Sequence, residues 1–133
     1  MLELVKNEEK YHEFIRLLRT NSEIAYGFVK NDPITPEQQK KYMTEYGGCY
    51  YICLSDGVPV GFVGAVRDDI RVAVLPGYQR KGVGSFMVKE LLKRHREVYA
   101  RIKVNNKVSL NFFKKLGFKW SFYIMTPPPE LKE

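Results

Sequence analysis

Six residues, Gln79, Arg80, Lys81, Gly82, Val83 and Gly84, stand between an apolar run and a long segment of helical periodicity. The run includes Val72, Ala73 and Val74 and breaks at Pro76-Gly77, so the order is strand, glycine-bearing turn, helix. That order can bind phosphate. A helix N-terminus offers unpaired N–H groups and the positive end of the helix dipole. Gly82 and Gly84 carry no side chain that would hold a ligand's oxygens off the backbone.

Other residue types with chemical potential are scattered. Cys49 and Cys53 give no disulfide framework, and for Cys49 a buried, inert thiol is a simpler reading than a reactive one. His12 and His95 sit among charges, as solvated side chains do. No His/Cys cluster has metal-ligand spacing, so no metal is expected. Tyr42, Tyr46, Tyr50 and Tyr51 crowd into ten residues, mostly as packing residues. Lys93-Arg94-His95-Arg96 reads as a charged helix end.

The elements that must position these groups are legible from pattern. Leu2 to Lys6 alternates as a short strand, and Asn7 is the expected cap of a helix through about Arg19, with Tyr11, Phe14, Ile15 and Leu18 on one face. Asn31-Asp32-Pro33 marks a loop. Thr35-Pro36-Glu37-Gln38 announces a second helix by its capping box and its proline at the first helical position, and Gly47-Gly48 stops it after Tyr46. Strands follow over Tyr50–Ser55 and Val58–Val66 around an Asp56-Gly57 hairpin turn. Arg67-Asp68-Asp69 turns the chain into a third strand, Ile70–Leu75. After the glycine turn come a helix from Val83 to Arg94, a strand over Val98–Val104, a helix over Asn106–Leu116 closed by Gly117, and a last strand over Phe118–Met125. A right-handed β-α-β crossover makes the strands around the third helix a parallel pair.

With 133 residues the chain is expected to form one domain. No apolar run approaches the ~20 residues of a membrane span. The N-terminus turns charged at once, unlike a signal peptide, so a cytoplasmic location is the expectation. The net charge of +7 fits an anionic ligand. Nucleic acid is a lesser alternative, because the aromatics fall mostly at packing positions.

Two segments resemble one family, the GCN5-related N-acetyltransferases. Q-R-K-G-V-G, preceded by V-A-V and V-x-P, matches that family's Gln/Arg-x-x-Gly-x-Gly/Ala turn. N-N-K-V-S-L-N-F-F-K-K-L-G-F, Asn105 to Phe118, is similar to its late helix. The order of elements agrees over nearly the whole chain. The resemblance implies an α/β fold: a mixed, mostly antiparallel sheet with splayed parallel fourth and fifth strands, flanked by helices. It implies acetyl-CoA as co-substrate, with the pantetheine arm against the backbone of Val72, Ala73 and Val74. The pyrophosphate would lie on N–H groups from Arg80 to Ser85, with charge from Arg80 and Lys81, and Asn106 would reach the arm.

The resemblance also exposes a gap in the proton chemistry. Many members place a Tyr on the late helix to protonate the departing thiolate; here that position is Phe113, which has no proton to give. A Glu that some members carry on the fifth strand is here Arg101. Histone-type members carry a strand-4 carboxylate that matches Asp68, with Asp69 beside it, and both are candidate bases as well as plain turn residues. A site poor in bases favours low-pKa amines: an amine of pKa about 8 is roughly a tenth neutral at pH 7, whereas a lysine of pKa about 10.4 is almost wholly charged. The expected function is acetyl transfer to a primary amine of a small molecule, an amino sugar or an α-amine, by a monomer or homodimer. The alternatives are a CoA-binding protein with attenuated catalysis and a basic nucleic-acid-binding domain.

Overall fold

The computed structural model describes residues 1–20 and 34–131; the loop expected at residues 31–33 lies outside them. Strands β1 (Leu2–Lys6), β2 (Tyr50–Ser55), β3 (Val58–Val66) and β4 (Asp69–Val74) form one sheet in the order β1-β2-β3-β4, every pair antiparallel. Helices α1 (His12–Thr20) and α2 (Pro36–Tyr46) pack on one face, and α3 (Val83–Arg94) and α4 (Lys107–Lys115) belong to the other. No helix among the described residues is long and apolar enough to cross a membrane.

The period-two alternation of the strands sorts the core into two layers. Ile52, Phe62 and Ala73 face α1 and α2 with Ile15, Leu18 and Met43. Cys53, Val63 and Ile70 face the other way, with Val83, Met87, Val88, Leu91 and Phe113. The second helix starts as expected: Thr35 and Gln38 exchange both capping-box bonds and Pro36 occupies the first turn.

The first helix departs from expectation at its start. Asn7 does not cap it; its side-chain amide donates to the Gly47 carbonyl at 3.2 Å and so ties the end of β1 to the end of α2. The chain enters α1 instead through a 3₁₀ turn, Glu9–Tyr11, without a side-chain cap. The third strand of the meander begins at Asp69, one residue early, because Asp69 pairs with Val66 across a two-residue turn. Both turn residues, Arg67 (φ 53°) and Asp68 (φ 67°), are left-handed, the type I′ arrangement that follows the twist of a hairpin.

Two expected strands do not form. Over Val98–Val104, only Tyr99 pairs with the sheet, in a single parallel bridge to Asp69: Ile70 N–H donates to Tyr99 O (2.9 Å) and Tyr99 N–H to Asp68 O (2.8 Å). Beyond that bridge a gap opens between β4 and Ala100–Ile102, and separated backbones cannot continue a ladder. Phe118–Met125 is not a strand either; Trp120, Phe122, Tyr123, Ile124 and Met125 are all exposed. Alternation alone cannot make a strand without a neighbouring edge, and the segment that should have supplied one joins the sheet only at the Tyr99 bridge.

Candidate active site

The glycine turn is built as its sequence requires. After β4 the chain makes a 3₁₀ turn, Pro76–Tyr78, and Gln79 returns to donate from Nε2 to Val74 O at 3.2 Å. Arg80 is left-handed (φ 62°), and Gly82 (φ 81°, ψ 3°) is the left-handed residue immediately before α3. No side chain caps this helix; its first closure is Phe86 N–H to Gly82 O at 3.0 Å. The N–H groups of Val83, Gly84 and Ser85 therefore have no carbonyl one turn behind them within the helix. Gln79, Arg80, Lys81 and Gly82 are exposed around this end, and the Lys81 ammonium lies 5.7 Å from the Tyr78 ring centre.

The two glycines have different roles. A Cβ on Gly82 would meet nothing within 4 Å, so the conformation and an open approach to the backbone demand glycine there. A Cβ on Gly84 would lie 3.0 Å from Cε1 of Phe112, so this glycine admits α4 against α3 and does not clear a path for ligand. An open, positively flanked cradle at a helix N-terminus fits a pyrophosphate.

The edge of β4 narrows the expected backbone contacts. Ile70 turns its N–H outward to Tyr99, whereas Leu75 turns its N–H inward to Val60 O at 2.8 Å. Alternation then directs the backbone groups of Val72 and Val74 to the outer edge and those of Ala73 to Phe62 on β3, so Ala73 cannot pair with a cofactor arm. The gap beside this edge is a small cavity of about 50 Å³ bordered by Val72, Ile102, Ser109 and Phe113. Phe113 is buried, edge-on to Phe112 and Phe118 at 5.0 Å each, and so brings an apolar wall where a hydroxyl was sought. Asn106 is buried nearby; its Oδ1 accepts from Ser109 N–H at 3.1 Å and caps α4.

A larger cavity of about 330 Å³ opens toward α2. Arg67, Asp69, Arg71 and Arg101 line it with Tyr42, Tyr46 and Tyr99. Asp69 is its buried hub: Oδ2 receives Arg71 Nη1 at 2.6 Å and Arg101 Nε at 3.0 Å. Burial works against the Arg71 charge, but the Asp69 carboxylate outweighs it and carries the guanidinium above its ordinary pKa. The Tyr42 and Tyr50 hydroxyls lie 2.7 Å apart, and burial first, then Tyr42, pushes Tyr50 well above the usual phenol range. Arg67 Nη2 donates to Tyr46 Oη at 3.0 Å. Arg71 and Arg101 border both cavities, so the gap and the larger chamber are neighbours on either side of these two residues.

The structure thus separates the paired aspartates: Asp69 lines the chamber, whereas Asp68 is exposed in the hairpin turn and lines neither cavity. Arg101, noticed in the sequence only as a missing Glu, is an ion-pair partner. Arg67 and Arg71 had no sequence signal beyond their neighbourhood to Asp69, and Tyr99, distant in the chain, had none. Of the tyrosine cluster, Tyr42 and Tyr46 face the chamber, Tyr50 is core, and Tyr51 lies on the far side of the sheet against His95.

A sheet edge beside a gap, ending in a glycine turn and a helix N-terminus, defines an α/β protein with an open helix end suited to an anion. The chain belongs to the acetyltransferase (GNAT) family, whose model matches residues 11–118. It is 27% identical to an N-alpha-acetyltransferase of Sulfurisphaera tokodaii over 59% of this chain and 61% of that protein, so it spans about three fifths of that relative's length. Its fold is similar to spermidine N-acetyltransferase from Vibrio cholerae in complex with CoA and spermine (TM-score 0.79, 15% identity, 92% of this chain and 83% of that one). It is also similar to ribosomal-protein-alanine N-acetyltransferase from Brucella melitensis (TM-score 0.75, 16% identity, 88% and 84%). At these identities the two structures speak for the fold alone.

Proposed function

We propose that this protein is an acetyl-CoA-dependent N-acetyltransferase acting by direct attack on a primary amine of low pKa in a small-molecule acceptor, an α-amine or an amino sugar. The observation that carries the reading is that the β4 gap and the tyrosine-arginine chamber lie next to each other, both bordered by Arg71 and Arg101. The gap runs beside the β4 edge assigned to the cofactor's arm, and the chamber has the volume of a small-ligand site. The pyrophosphate is assigned to the N–H groups of Val83, Gly84 and Ser85 with Arg80, Lys81 and the open Gly82. The edge groups of Val72 and Val74 are assigned to the arm. Asn106 holds the start of α4 beside it.

Acetyl-CoA supplies the acyl carbon and a thiolate leaving group. The neutral amine forms a bond to that carbon, the carbon–sulfur bond breaks, and the amine's proton leaves. Asp69, the carboxylate on the chamber wall, is the residue to which we assign that proton's first destination, directly or through water. A low-pKa amine asks little of it, which suits a carboxylate already shared by two arginines. An alkyl thiolate of pKa about 8.5 departs without an acid, which suits Phe113. The test is an acceptor screen with acetyl-CoA that reads free thiol, together with calorimetric CoA binding to wild type and Gly82→Glu. Turnover on low-pKa amines and lost CoA binding in the variant are expected. Undiminished CoA affinity in Gly82→Glu would defeat the cofactor assignment.

A further inference from the structure

Among the described residues, the chamber wall carries three arginines, Arg67, Arg71 and Arg101, against one carboxylate, Asp69. That carboxylate cannot neutralise them. Its Oδ2 already receives both Arg71 and Arg101, and Arg67 has a phenol rather than an acid as its partner. Among the described residues, the wall therefore carries two more positive charges than negative ones. A fourth arginine, Arg19, lies 4.9 Å from the ring centre of Tyr42, another wall residue. Each guanidinium has five N–H donors in a planar fork, and the ion pairs described use only a few of them.

We infer that the acceptor carries an oxyanion, a carboxylate or a phosphate, on the same molecule as its amine, and that Arg67, Arg71 and Arg101 receive it. This inference rests on the acetyltransferase reading above and narrows it to a substrate class. The arginine fork matches both oxyanions bidentately. Arg71 and Arg101 are partly sheltered, with side chains 25% and 39% exposed, so their charges are less screened than those of open surface residues. The chamber volume is at the lower end of the range for small-ligand sites. Asp69 fixes Arg71 and Arg101, and the left-handed turn at Arg67 and Asp68 presents Arg67 at the same wall despite the cost of that conformation. The same charges oppose polycationic acceptors: a polyamine would bring several ammonium groups to a wall with one carboxylate already engaged.

Matched acceptor pairs test this: alanine against alaninamide, glucosamine 6-phosphate against glucosamine, and spermidine as the polycation. Two readouts are taken, kcat/KM from thiol release with acetyl-CoA and equilibrium binding of the same compounds by calorimetry in the presence of CoA. The anionic member of at least one pair is expected to lead by about tenfold or more in both, and the pair that does so identifies the oxyanion as carboxylate or phosphate. Arg67→Gln and Arg71→Gln should each reduce that preference by about tenfold, mainly through KM. Arg71→Gln risks the fold by stranding part of the Asp69 cluster; Arg67→Gln gives up only an exposed contact to Tyr46 and keeps the test intact. Equal or better use of the neutral members, or a preference for spermidine, overturns the inference while leaving acetyl transfer standing. If no amine is acetylated, the acetyltransferase reading falls and the binding arm still decides: retained preference for the anionic member supports the oxyanion site, and its absence sinks it.

Discussion

Replacing Arg67-Asp68 by Asn-Gly should stabilise the protein while weakening its acceptor site. Both residues sit in the left-handed region, at φ 53° and 67°, between the paired residues Val66 and Asp69. A side chain in that region costs about 1–2 kcal/mol per residue, less for Asp than for Arg, whereas Asn-Gly is the preferred pair for this turn. Against the relief stand the Arg67 hydrogen bond to Tyr46 (3.0 Å) and the guanidinium 5.9 Å from the Tyr46 ring centre. These exposed contacts contribute about 0.5–1 kcal/mol together, and glycine adds up to about 1 kcal/mol of unfolded-chain entropy. The balance is a gain of about 1 kcal/mol. With a urea slope of about 1–2 kcal/mol/M, the unfolding midpoint should rise by about 0.5–1 M at unchanged slope. The same double variant loses one of the chamber's arginines and should show a raised KM for the anionic acceptor. A midpoint equal to or below wild type would show that the turn is not strained and that Arg67 is held there at no cost.

Asp69→Asn leaves Arg71 and Arg101 without their shared carboxylate (2.6 and 3.0 Å). Breaking a fully buried pair costs about 3–5 kcal/mol, and two half-exposed arginines reduce this to about 2 kcal/mol, readable as a lower urea midpoint; a change under about 0.5 kcal/mol would refute the hub. Gly82→Ala should cost about 1–2 kcal/mol through its left-handed φ. Gly84→Ala should stay within about 1 kcal/mol of wild type, helix propensity offsetting a small shift of the Phe112 ring; the reverse order would exchange the roles given to the two glycines. Burial pushes the Cys53 thiol up to about 11 from its ordinary value of 9.0. The folded state therefore holds this proton after the unfolded chain has released it, and stability should fall as pH rises from about 9 to 11. Cys53→Ala should show a shallower decline over that window, by up to one proton in the pH slope of unfolding free energy; an unchanged slope would contradict the shift.

The glycine turn was readable because it is local. Strand, Pro-Gly break and left-handed glycine fall within one continuous stretch, and each constrains its immediate neighbours. The capping box at Thr35 and Gln38 and the Asp56-Gly57 turn were readable for the same reason. Asn7 was misread because capping competes with other uses of an amide side chain, and a carbonyl forty residues away, on Gly47, won. Val98–Val104 and Phe118–Met125 have acceptable strand patterns, but a strand also needs an adjacent edge, which no pattern within the segment reveals.

By itself, then, the sequence determined the glycine turn, the three hairpin-connected strands, the inward face of the first helix and the resemblance that led to acetyl-CoA. It also showed which proton-transfer residues are missing, because Phe113 and Arg101 are matters of identity at a position. Only the tertiary structure decided that Asp69 and not Asp68 belongs to the chamber, that the backbone groups of Ala73 turn away from the outer edge of β4, and that Gly84 serves helix packing. It alone assembled Arg67, Arg71 and Arg101 around one carboxylate. The physical reason is range: dihedral preference and hydrophobic period act over a few residues, whereas ion pairing and side-chain burial depend on which distant segments the fold brings within a few ångströms.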